Sequence, residues 1–209
     1  MKNKPALIVI DVQQGFAQYD EPGQRNNPQC ESNVARLIEA WRAAEAPIVY
    51  VRHDSVEPAS VLRPGQPGND FKDVITGTPD LLVSKSVNSA FYGTPDLQQW
   101  LQANQIDSIA ICGIQTNMCC ETTARMGGNL GYDVWFVLDA THTFAKTVNG
   151  VTLTADQLSQ ATAVNLAGEF ASRGWQVVRQ PAVDARRLKS SRGFLSRGQY
   201  AHSLSTRMI

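Results

Sequence analysis

Six short apolar runs punctuate the chain: "ALIVIDV" at 6–12, "PIVYVRH" at 47–53, "LLVSK" at 81–85, "SIAICGI" at 108–114, "YDVWFVLDA" at 132–140 and "WQVVR" at 175–179. They are rich in β-branched and aromatic residues, the pattern of strands buried on both faces of a sheet. Between them lie amphipathic stretches that predict helices: "NVARLIEAWRAAEA", "DLQQWLQANQ", "CCETTARMGGNL" and "TADQLSQATAVNLAGEFASRG". The last opens on Thr154 as an N-cap and closes near Gly174. Strands alternating with helices predict an α/β fold, a three-layer α-β-α sandwich of Rossmann-like type around a six-stranded, mainly parallel sheet. One segment breaks the alternation. The loop "DSVEPASVLRPGQPGNDFKDVITGTPD" is too long for a simple connection in a compact domain, which suggests a lid or a pocket wall.

The chain has 209 residues, 43% hydrophobic and 18% charged, enough for one full core and short for two domains. The expectation is a single domain over 1–181 with a separate tail over 182–209. Formal net charge is zero. The distribution is uneven, because Arg186, Arg187, Lys189, Arg192, Arg197 and Arg207 stand in a segment without acids, leaving 13 basic against 19 acidic residues in 1–184. A mildly acidic body does not suit a nucleic-acid partner, which needs clustered cations on a rigid face. The Ser-, Arg- and Gly-rich tail reads as a disordered end, an appended extension, or an arm that clasps another subunit. No apolar run reaches the roughly 18 residues of a membrane span, and Asp11 interrupts the first one early, so neither a membrane span nor a signal peptide is expected. The cytoplasm is the expected compartment. Cys30, Cys112, Cys119 and Cys120 are too few for a disulfide framework and read as reduced thiols.

In open α/β sheets ligands bind beyond the carboxyl ends of the strands. The polar residues at those ends are Asp11, His53 with Asp54, Lys85, the Gly113 turn leading to Cys119, and Asp139. Asp11, Lys85 and Cys119 together make chemical sense. A cation and a helix N-terminus both favour a thiolate, so Lys85 would activate Cys119. Asp11 could take the thiol proton, give it to a leaving amine, and then activate water against a thioester. Backbone amides of the "GIQTNMC" turn could hold the oxyanion. Taken singly, each residue has a plainer reading: Asp11 as a turn residue, Lys85 as a surface charge, Cys119 as packing. Their joint placement at strand ends favours catalysis.

Four segments in order, "LIVIDVQQGF", "SKSVNSAFYGTPDLQQWL", "GIQTNMCCETTARMGGNLGY" and "VWFVLDATHTF", resemble the successive motifs of isochorismatase-like cysteine hydrolases. That superfamily includes nicotinamidases and carbamoyl-cleaving amidases, and the likeness spans about residues 5 to 180. It implies a catalytic triad of Asp11, Lys85 and Cys119. It also implies a non-proline cis peptide at Ile114 to Gln115, with the Gln115 and Cys119 amides as oxyanion hole. Phe16 and Phe91 would line the substrate pocket. Cys120, where relatives more often carry valine, should turn about 100° away and pack into the body. The resemblance implies hydrolysis of a C–N bond in a small molecule, in a homo-oligomer.

The departures from the family are informative. Nicotinamidases place an Asp and several His after the second strand for a metal, whereas this region has His53 alone, which reads as a hydrogen-bonded structural residue, so no metal is expected. Isochorismatases that cleave a vinyl ether do not keep the cysteine. An ester or enol ether substrate is the alternative. Nothing like G-x-G-x-x-G follows the first strand, so no dinucleotide cofactor is expected. His142 in "DATHTF" reads as structural. Adjacent Cys119 and Cys120 also admit a redox pair, though without a C-x-x-C motif, and a non-catalytic member of the fold is a further alternative.

Overall fold

In the computed structural model, which describes residues 4–19 and 24–171, the first five apolar runs form one parallel sheet. Its strands are β1 (Ala6–Ile10), β2 (Ile48–His53), β3 (Leu81–Lys85), β4 (Ser108–Ile114) and β5 (Asp133–His142), in the order β3-β2-β1-β4-β5. The expected sixth strand at 175–179, the domain boundary at 181 and the basic tail all lie outside the described residues. Helices α1 (Cys30–Ala43), α2 (Leu97–Ala103), α3 (Glu121–Asn129) and α4 (Ala155–Leu166) follow the strands. A small antiparallel hairpin, β6 (Lys146–Val148) and β7 (Val151–Leu153), precedes α4 and was not evident in the sequence, because its three-residue strands are exposed on every side chain.

The pleat sorts the core into two layers. Ala6, Ile8 and Ile10 pack with Leu97 and Leu101 of α2, Ala124 of α3 and Leu166 of α4. Leu7 and Val9 face the other way, onto Cys30, Val34, Leu37 and Ile38, which recur at helical spacing along α1. Every residue of β1 is at most 1% exposed, and each buried Ile or Leu contributes about 1.5–3 kcal/mol. This is the anticipated three-layer sandwich. α4 begins as expected, with a Thr154–Gln157 capping box, but ends at Leu166 and not near Gly174. Ala167 is extended and Gly168 takes φ +78°, a left-handed stop. Among the described residues no helix is long and apolar enough to cross a membrane.

Two local features aim the strand ends. Gly113 has φ +128°, and a Cβ there would meet the Ile10 carbonyl oxygen at 2.0 Å, so only glycine lets β4 run this close to β1. The register of β4 with β5 then jumps, from Ile111 beside Phe136 to Gly113 beside Thr141. Carbonyls freed by that bulge are taken up by amides from before and within α1: Asn27 donates to Asp139 and Thr141, and Asn33 donates to Asp139.

Candidate active site

The strand order switches direction at β1, and the polar residues gather beyond the carboxyl ends there. Asp11 follows β1 with φ +51° and is fully buried. Lys85 ends β3 with a side chain that is likewise shut off from solvent. Its Nζ donates to Asp11 Oδ2 at 2.6 Å and to Cys119 Sγ at 3.4 Å. The structure therefore brings the three predicted residues together around one ammonium. The other Asp11 oxygen, Oδ1, is buried with no hydrogen-bond partner among the described residues.

Cys119 lies between the end of β4 and the start of α3. Thr116–Cys120 form a wide π-helical turn ahead of α3, in which the Cys120 amide reaches back to the Gln115 carbonyl at 3.3 Å. Cys119 is 8% exposed, and its thiol is pushed up to about 12. Burial is the largest cause and the Asp11 charge the next, while Lys85 pulls the other way. Burial and the Asp11 carboxylate thus favour the thiol over the thiolate expected from Lys85 and a helix N-terminus. For Lys85, burial opposes the charge, but Asp11 and Cys119 outweigh it and raise its pKa. Cys120 is fully buried in the core layer of Phe136 and Ala124, as expected of the packing partner.

A cavity of about 390 Å³ opens onto this cluster. Asp11, Cys119, Gln115 and Phe16 line it. The peptide between Ile114 and Gln115 is cis. Phe91 is a correction: it is absent from the cavity wall, lies in the core and stacks on Tyr132 with ring centroids 5.8 Å apart. The short turn Ala90–Tyr92, fixed by Thr123 accepting from the Ala90 amide, points that ring under α3 instead. The aromatic wall comes from Phe144, against which Phe16 and Tyr19 pack at 6.4 and 5.6 Å. Phe144 stood in the quoted "DATHTF", yet nothing in the local pattern separated it from a core residue.

Further residues complete the cavity wall. Asn88 lies 3.8 Å from Cys119 Sγ through its Oδ1. Ser60, Val61 and Leu62 make the long loop a pocket wall. His53 also lines the cavity, with Nδ1 at 3.2 Å from Lys85 Nζ. One donor atom from each of Asp11, His53 and Cys119 falls within 4.8 Å of the others. A metal does not fit between them, because the Lys85 ammonium already contacts all three.

A second cluster lies beside the cavity wall, with half-buried Glu31 between buried Cys30 and His142. Its carboxylate is already committed, to Arg25 at 2.7 Å and to Lys72 at 2.7 Å. Burial opposes the Glu31 charge, but those hydrogen bonds prevail and hold its pKa at about 2. His142 is fully buried, packs edge-on against Phe144 at 5.1 Å, and among the described residues has no hydrogen-bond partner on either ring nitrogen. Burial, with Arg25 next, depresses its pKa to about 3. The unfolded chain therefore binds protons before the folded one as pH falls, through His142 from about 6.5 to 3 and through Glu31 from about 4.5 to 2. Stability should fall steadily below pH 6.5. His142→Phe should flatten the pH dependence of the urea midpoint between pH 6.5 and 4.5, above the range of Glu31, and an unchanged slope would assign the effect elsewhere.

Comparison with known proteins agrees with this architecture. The isochorismatase domain model matches residues 5–169. An uncharacterized isochorismatase family protein of Bacillus subtilis strain 168, YrdC, is 34% identical over 82% of this chain and 92% of its own length. Nicotinamidase 3 of Arabidopsis thaliana is 32% identical over 79% of this chain and 82% of its own. Among solved structures, an isochorismatase-family protein from Chromobacterium violaceum ATCC 12472 is 41% identical and superposes with a TM-score of 0.74, covering 81% of this chain and 88% of that one.

Proposed function

Because the chain belongs to the isochorismatase family of hydrolases, we propose that it is a cysteine hydrolase that cleaves a C–N bond of a small amide, carbamoyl compound or cyclic amide through a thioester on Cys119. The observation that carries this reading is the single Lys85 ammonium held between Asp11 Oδ2 and Cys119 Sγ against the cavity. Relatives named as amide hydrolases, Nicotinamidase 3 and the ureidoacrylate amidohydrolase of Methylobacterium radiotolerans, support a C–N bond as target.

The chemistry follows from the protonation states. Cys119 rests as a thiol, so its proton must leave as sulfur attacks the carbonyl carbon, and the unpartnered Asp11 Oδ1 is an acceptor for it. Negative charge developing on the carbonyl oxygen is met by the amides of Gln115 and Cys119. Asp11 returns the proton to the nitrogen as the C–N bond breaks, leaving the acyl group on sulfur. A water then gives its proton to Asp11, attacks the thioester, and releases the acid and the thiol. Lys85 stays charged throughout and steadies both the carboxylate and the sulfur as negative charge moves between them.

The test is release of ammonia or amine from a panel of amides, carbamoyl compounds and cyclic amides, with the acyl adduct on Cys119 trapped and located by mass spectrometry. Hydrolysis confined to esters or enol ethers, without an adduct, would overturn the reading. No step here needs a metal, so turnover should persist after chelation and exhaustive dialysis. Loss on chelation that zinc or iron restores would assign the reaction to a metal centre instead.

A further inference from the structure

His53 stood apart in the sequence as a lone histidine, yet it is the third partner of the ammonium. An ammonium has three N–H donors and no acceptor. Asp11 Oδ2 at 2.6 Å, His53 Nδ1 at 3.2 Å and Cys119 Sγ at 3.4 Å supply one acceptor for each. A ring nitrogen facing an ammonium can only accept, so Nδ1 is bare and the ring proton sits on Nε2. The backbone of His53 is held just as closely. Buried Gln13 pairs with it twice, accepting from its amide at 2.9 Å and donating to its carbonyl at 3.1 Å. Asn69, from the long loop, donates to the same carbonyl at 3.1 Å. In the sheet, His53 and Lys85 are direct parallel partners.

We propose that His53 is a positioning residue for the catalytic ammonium: its Nδ1 accepts the third Lys85 proton and so fixes Nζ between Asp11 and Cys119. The catalytic group is then a tetrad in which the fourth member acts through Lys85. The clamp by Gln13 and Asn69 gives the long loop a share in that geometry, in addition to its role as pocket wall. The charged and titratable groups around His53 are Lys85 on β3, Asp11 after β1, Asp54 beside it and Cys119 on the π-helical turn. Burial first, and Lys85 next, depress its pKa, consistent with a neutral ring.

The proposal rests on the cysteine hydrolase reading for its effect on turnover, but its geometry can be tested without a substrate. With three histidines in the chain, nitrogen NMR of histidine-labelled wild-type protein can read each tautomer. His53 should be the neutral Nε2–H form from pH 6 to 9. A proton on Nδ1 anywhere in that range would overturn the proposal, whatever the enzyme hydrolyses. In variants, His53→Phe removes the acceptor and His53→Asn restores one near the Nδ1 position. His53→Phe should slow alkylation of Cys119 at pH 8 about tenfold, raising its apparent pKa by about one unit, and lower kcat with little change in KM. His53→Asn should recover alkylation to within about threefold of wild type. Equal behaviour of the two variants, or a shift confined to KM, would overturn the positioning role. Should both variants leave alkylation unchanged while the amide panel is still hydrolysed, only the role of His53 falls. If the predicted tautomer is present and no amide is cleaved, only the hydrolase reading falls.

Discussion

Cys119→Ala is expected to lower kcat by on the order of 10⁴-fold or more, while Cys120→Ala stays within about threefold of the wild type. The contrast rests on what each sulfur touches. Cys119 lines the cavity with its Sγ 3.4 Å from the Lys85 ammonium, so its loss removes the atom that would carry the acyl group. Cys120 is fully buried among core side chains, and its change to alanine removes one sulfur from packing. That deletion should cost about 1 kcal/mol of stability. Steady-state kinetics on any amide identified in the panel, with urea unfolding of both variants, separates the two effects. A comparable kcat loss in both would mean that the nucleophile is misassigned or that the pair works as one unit.

Much of this arrangement could be read from residue patterns. Strands β1, β2 and β4 announce themselves because buried parallel strands demand unbroken apolar runs, the partly exposed edge strand β3 keeps a shorter one, and a polar residue ending such a run is conspicuous. Asp11, Lys85 and the turn before Cys119 all stand at such ends. The hairpin β6–β7 carries no such mark, since "KTV" and "VTL" expose every side chain and offer no face for burial. Phe91 and Phe144 show a different limit. Both are aromatic residues just past a strand end, and only the path of the following turn decides which ring meets the cavity. The protonation of Cys119 is hard to read from sequence for a related reason. Charge neighbours can be guessed from sequence, but burial cannot, and for Cys119 burial is the largest cause.

His53 illustrates how a site can be hidden by a sound general rule. A single histidine after β2 lacks the companions that a metal needs, and that inference is compatible with the structure, where an ammonium fills the place between the donor atoms. The rule says nothing of a histidine that serves a cation already covalently part of the chain. The missing signal was pairwise: His53 and Lys85 each end a strand, and parallel pairing of β2 with β3 makes those ends neighbours.

The buried pair of Asp11 and Lys85 should give the other large effect, and one with opposite signs in two measurements. Lys85→Met leaves a carboxylate fully shut off from water with one oxygen already unpartnered among the described residues, and Asp11→Asn removes the anion from beside a buried ammonium. Breaking a buried pair from one side costs about 3–5 kcal/mol. The double variant Asp11→Asn with Lys85→Met removes both charges and should regain a large part of that stability in a double-mutant cycle. Activity should not return with it. Asp11→Asn deletes the proton carrier and should lower kcat about 10²–10⁴-fold. The thiol reports the two charges separately. Asp11 raises the Cys119 pKa and Lys85 lowers it, so Asp11→Asn should bring the apparent pKa down from about 12 while Lys85→Met drives it higher. At fixed alkaline pH, alkylation then speeds up in the aspartate variant and slows in the lysine variant, although both have lost turnover. Shifts of the same sign in the two variants would show that Cys119 senses a common structural change and not the two charges.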